Sequence, residues 1–151
     1  MNAREFTVDM VLTPVDGTEE AATAVEYAIA VADRYDASVH ALYVLGRETV
    51  LGIDNGEVDE RQVATEAREF LGDVETVATD AHVPLSTSMT QGFSPMRKTR
   101  HPGSVVLDAA EAAGADFIVV PRESASDASP EVLERAAEYV LAYASQPVLS
   151  V

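Results

Sequence analysis

Cysteine is absent from the 151 residues, which excludes disulfides, thiolate metal sites and cysteine nucleophiles outright. No run approaches the about 18 uncharged apolar residues of a membrane-spanning helix; the best stretch, residues 21–32, is interrupted by Glu26. The start, Met1-Asn2-Ala3-Arg4-Glu5 with Asp9 cutting the first apolar run, holds no secretory core. A soluble, cytoplasmic protein is expected. Aromatic residues are only 6% of the chain, so thin helix and strand layers built from Ala and Val are expected rather than bulky aromatic packing. Lysine is nearly missing: Lys98 stands alone, and the other basic residues are arginines.

Against 10 Lys plus Arg stand 26 Asp plus Glu, for a formal charge of −16. A field of that sign repels nucleic acids and anionic membrane surfaces, so neither is expected as a partner. An acidic, lysine-poor surface suits a protein of concentrated salt, where the Debye length at about 1 M is about 3 Å and self-repulsion is screened. A halophilic source is the expectation. With 47% hydrophobic residues the chain is long and apolar enough for one ordinary domain, spanning residues 1–151.

Along the chain, apolar runs and helical periodicity alternate. Residues 6–13 form a short apolar run that Pro14-Val15-Asp16-Gly17 ends with turn residues. From Glu19 to Tyr35, Ala21, Ala24, Val25, Ala28, Ile29 and Ala32 recur at helical spacing, with Thr18 as cap and Glu19 and Glu20 at the positive end. Residues 38–44 read as a second strand, 45–57 as a loop with Gly46, Gly52 and Gly56, and 59–80 as a helix. The face of that helix carries Val63, Ala67, Phe70, Leu71, Val74 and Val77. Residues 85–90 are a weaker strand and 91–103 an irregular loop. Ser104 is expected to cap a helix closed by Gly114, and residues 116–120 are the clearest buried strand. Ser129 with Pro130 opens a last helix to about Ala144, before a terminal strand at 147–151. Five strands joined by right-handed helical crossovers give an α/β domain, a mainly parallel sheet with helices on both faces.

Three strings carry a resemblance. Residues 11–20 (VLTPVDGTEE), 115–120 (ADFIVV) and 138–149 (EYVLAYASQPVL) together resemble the universal stress protein family, over nearly the whole chain. The resemblance implies a Rossmann-like, adenine-nucleotide alpha-hydrolase-like sheet of order 3-2-1-4-5 and a homodimer formed through the last strand. It also implies that Asp16, at the end of the first strand, contacts adenine or ribose, with Pro14, Val15 and Val44 framing the base. The residue chemistry offers Asp16 another role, closing the strand-to-helix turn on backbone N–H groups.

Family members that hold ATP carry G-x-x-G, nine residues, then G-[S/T] after the fourth strand, where glycines let backbone N–H groups reach phosphates. Here Pro121 and Ser124 stand at the two glycine positions, Glu134-Arg135 replace the final pair, and no glycine follows Gly114. Pro121 removes a donor, and Glu123, Asp127, Glu131 and Glu134 make the segment acidic. No ATP held in the family's usual way, and no cofactor, is therefore expected; an adenine nucleotide is the alternative.

Arg97-Lys98-Thr99-Arg100-His101 is the one basic island. Arg97, Lys98 and Arg100 are candidates for an anion or an acidic partner, against the plainer reading of a solvated loop paired with carboxylates. His40, His82 and His101 lack metal-ligand spacing, and the acids at 54–60 lack the pattern of a calcium loop. There is no nucleophile elbow and no legible Ser/His/Asp set, so no enzyme is expected. The expected function is a non-catalytic stress-response protein acting by homodimerisation through 148–151, where Val148, Leu149 and Val151 would otherwise leave an apolar edge, and by contact with a protein partner. The alternative is a nucleotide or small-anion sensor using Asp16, Val44 and residues 97–101. One physical test follows from the charge: thermal stability is expected to rise from dilute buffer to molar potassium chloride in a melting series, and a flat series would exclude adaptation to salt.

Overall fold

A computed structural model describes residues 4–91, 101–122 and 131–151. Strands β1 (Met10–Val15), β2 (Ser38–Leu45), β3 (Leu85–Gln91), β4 (Phe117–Val120) and β5 (Val148–Ser150) alternate with helices α1 (Glu19–Tyr35), α2 (Arg47–Asp54), α3 (Glu60–Asp80), α4 (Pro102–Ala113) and α5 (Glu131–Tyr143). The five strands make one parallel sheet in the order β3-β2-β1-β4-β5, the order that the family resemblance implies. Helix α1 packs beside α3, and α4 against α5, the two layers that right-handed crossovers in opposite directions require.

The central strand explains the rest. Val11, Leu12 and Val15 are fully buried, because a parallel strand covered on both faces needs apolar side chains on both. Its start is fixed by one carboxylate: Asp116 accepts hydrogen bonds from the N–H groups of Asp9 (3.0 Å) and Met10 (3.0 Å). The Asp116 N–H in turn donates to the Met10 carbonyl at 3.0 Å. Val11 then pairs with Phe117 and Leu12 with Ile118.

Helix α1 buries the six residues that its spacing selects, Ala21, Ala24, Val25, Ala28, Ile29 and Ala32, and Thr18 Oγ1 accepts from the Ala21 N–H at 3.2 Å. The wide α3 face is only partly realised: Ala67, Val74 and Ala78 are buried, Phe70 and Leu71 pack partly, and Val77 is exposed.

Three expectations are corrected. The first strand begins at Met10 and includes Pro14 and Val15; Phe6 instead packs edge-on to Tyr35, with ring centroids 5.6 Å apart, and against Phe117. The expected loop at 45–57 contains α2. Its internal Gly52 marks a close approach, because a Cβ there would overlap the Val58 side chain that folds back on it. The α4 cap is His101, not Ser104: Nδ1 accepts from the Gly103 N–H at 3.0 Å, and Pro102 opens the helix. Helix α5 closes at Tyr143, within a residue of the expected end. Its expected opening at Ser129-Pro130 lies outside the described residues.

Gly103 is needed where α4 meets α5. An added Cβ would overlap the Cβ and ring of Tyr139, whose ring also stacks on His101 with centroids 4.5 Å apart. Gly72, inside α3, has nothing near the same position. The two glycines therefore predict opposite outcomes. Gly103→Ala is expected to destabilise by about 1–3 kcal/mol through overpacking, whereas Gly72→Ala is expected to stabilise by up to about 1 kcal/mol through helix propensity. Thermal melts of the two variants check both signs.

Candidate functional site

Ligands of open parallel sheets bind at the carboxyl ends of strands where the strand order reverses. Here that point lies between β1 and β4. β1 continues alongside β2 as far as the Val15–Tyr43 pair, but its ladder with β4 ends at Leu12–Ile118. Pro14 brings no N–H to extend a ladder. The two strands thus part just below Asp16.

Of the residues proposed for this cleft, Pro14, Val15 and Val44 are buried, and Asp16 is half-buried at the mouth. Val15 and Val44 sit on adjacent strands, with Val15 in register with Tyr43. The Asp16 carboxylate closes the turn into α1, its Oδ1 accepting from the Thr18 N–H (3.1 Å) and the Thr18 hydroxyl (2.6 Å). The turn role is therefore realised. Burial raises the Asp16 pKa above its ordinary 3.8; the Thr18 bonds oppose this, and the Glu20 charge adds to it.

Tyr43 was not singled out from sequence, yet it shapes this corner. Its hydroxyl donates to the Asp16 carbonyl at 3.3 Å, and its ring meets Phe70 edge-on at 6.1 Å. It also lies 2.9 Å from where a Cβ would stand on Gly17. With φ of +85° at that residue, only glycine fits without strain. Burial, with the charges of Asp16 and Glu66, raises the Tyr43 pKa, so the phenol stays a donor.

Most of the remaining candidates cannot be located relative to this corner. Arg97, Lys98 and Arg100 lie outside the described residues, as do Ser124, Glu123 and Asp127. Pro121 is buried directly after β4, and Arg122 follows it, exposed, its N–H donating to the Val151 carbonyl at 2.6 Å. Glu134 and Arg135 fall within α5. A groove of about 680 Å³ opens beside the end of β5, lined by Glu20, Thr23, Arg122, Glu138, Leu141 and Ser150 among others. Strand β5 pairs with β4 alone and forms the sheet's outer edge. Among the described residues no group of three or more His, Asp or Glu could hold a metal ion, and no helix is long and apolar enough to cross a membrane.

Asp16 makes a pH prediction whose sign is fixed by its raised pKa. Between 3.8 and the raised value the folded chain keeps a proton that the unfolded chain has released, so this group's contribution to stability falls as pH rises through that window. Asn in its place keeps an acceptor for Thr18 without the charge. Asp16→Asn is expected to melt higher than the native protein at neutral pH, with the difference fading below pH 3.8, as paired melts across pH would record.

The fold has clear relatives. A universal stress protein from Methanocaldococcus jannaschii is 28% identical over 144 residues, covering 93% of this chain and 80% of that one. Among solved structures, the universal stress protein UspA from Lactobacillus plantarum superposes with a TM-score of 0.73 at 19% identity, covering 97% of this chain and 99% of that one. The universal stress protein from Archaeoglobus fulgidus, solved in complex with dAMP, gives 0.63 at 16% identity, covering 96% and 97%. The model of the universal stress protein family itself matches residues 8–151, from just ahead of the clamped start of β1 through the edge strand, and the chain belongs to that family.

Proposed function

We propose that this universal stress protein works without catalysis, as a homodimer that contacts other proteins, and does not hold ATP in the manner of the family's glycine-loop members. The observation that carries this reading is the segment after β4. It begins with buried Pro121, which has no N–H to offer, and no glycine occurs from there to the end of the sequence. A triphosphate needs several backbone donors converging at close range. Acidic residues at 123, 127, 131 and 134 add like charge, which costs about 1 kcal/mol at 4 Å in water and several times more in a cleft.

Dimerisation is supported by the open edge of β5, where Val148, Leu149 and Val151 remain partly exposed. The acidic surface supports a cytoplasm of high salt as its setting.

A second reading, a sensor for an adenine nucleotide or another small anion, is favoured by the half-buried Asp16 carboxylate beside Val15 and Val44. The dAMP in the Archaeoglobus fulgidus relative points the same way, and residues 97–101 would supply the charge for a phosphate.

A thermal-shift series in high salt separates the two readings. A ligand at 100 times its Kd stabilises by about 2.7 kcal/mol. No shift with Mg-ATP, ADP, AMP or cyclic nucleotides is expected; a shift with AMP alone favours the sensor, and a clear ATP shift overturns the first reading. Light scattering in the same buffer is expected to give twice the chain mass of 16.1 kDa, and a monomer at micromolar concentration would remove the dimer.

A further inference from the structure

Away from the cleft, His40 in β2 lies between two hydroxyls of β3. Its Nδ1 is 2.7 Å from Ser86 Oγ, and its Nε2 is 2.7 Å from Ser88 Oγ. The strand register builds this array. His40 pairs with Ser86 and Leu42 with Ser88, and strand alternation puts the imidazole and both hydroxyls on one face. Leu12, in register with His40 on the other side, and Leu42 are buried, while both serines are exposed.

A neutral imidazole has one N–H and one lone pair. With both nitrogens bonded to hydroxyls, one serine accepts the ring N–H and the other donates its O–H to the ring lone pair, whichever tautomer is present. A hydroxyl donating to a base that a third group orients is the arrangement that activates a serine as a nucleophile. Burial lowers the His40 pKa, which keeps the ring in its proton-accepting form at neutral pH. β3 is also the outer strand of the sheet, and the exposed serines lie on it.

We propose that the Ser86–His40–Ser88 array is an acyl-acceptor site, which takes one acyl group from a small activated ester or thioester. The serine O–H bond breaks and its proton passes to the facing ring nitrogen as Oγ forms a bond to the acyl carbon. The bond from that carbon to the leaving oxygen or sulfur then breaks, and the leaving group takes the proton from the imidazolium. The products are an O-acylserine and a free alcohol or thiol, with no change of oxidation state.

The test treats the full chain with p-nitrophenyl acetate and maps the adduct by mass spectrometry. One acetyl group per chain is expected, on Ser86 or Ser88. The double change Ser86→Ala with Ser88→Ala should abolish it. His40→Gln, which can still hydrogen-bond both hydroxyls but has no base, should slow labelling at least about 100-fold, the lower end of what general-base assistance contributes. Melting curves confirm that each variant is folded. Absence of labelling in the native protein, an adduct on any other residue including His40 itself, or undiminished labelling of a folded His40→Gln variant would each overturn the proposal.

Discussion

The sheet turns on the Asp116 carboxylate, which gathers the N–H groups of Asp9 and Met10 while its own N–H returns a bond to the Met10 carbonyl. This sets β4 against β1 at the one junction where the strand order changes direction. Because the register is fixed at that lower end, the two strands run together only to Leu12–Ile118 and then part, and Asp16 emerges over the gap. Pro14 in a central strand would be a defect elsewhere. Here it falls beyond the last β1–β4 pair, where a missing N–H costs nothing.

Most of this architecture was legible in the residues. The α1 stripe predicted every buried position because a helix lying flat on a sheet buries one face of period 3.6, and Thr18 and Gly114 marked their helix ends by the chemistry of caps. What could not be read were elements whose local signals are overruled at a distance. Glycines at 46, 52 and 56 read as loop, yet Gly52 is helical because Val58 needs its bare face. Gly103 read as the end of a loop, yet it stands in α4 because Tyr139 packs against it. A histidine in a basic stretch gave no sign of being a cap.

The site was less legible than the fold. Asp16 was placed correctly, because a carboxylate at the end of the first strand must meet either the turn or the cleft, and its Thr18 bonds realise the turn. Tyr43 went unnoticed since an aromatic residue in a strand reads as core; only the close packing of its hydroxyl against Gly17 and the Asp16 carbonyl reveals more. The serines on β3 were likewise hidden. A Ser-x-Ser spacing on a weak strand means nothing until register sets it opposite His40. Contacts between strands joined by a long crossover are invisible to any local window of sequence.

The cap on α4 has a chemical corollary. An imidazole nitrogen that accepts from the Gly103 N–H must present a lone pair, so the hydrogen of the neutral His101 ring resides on Nε2 and the tautomer is chosen by the helix. One side chain therefore serves the backbone of α4 through its ring edge and α5 through its ring face, which stacks on Tyr139.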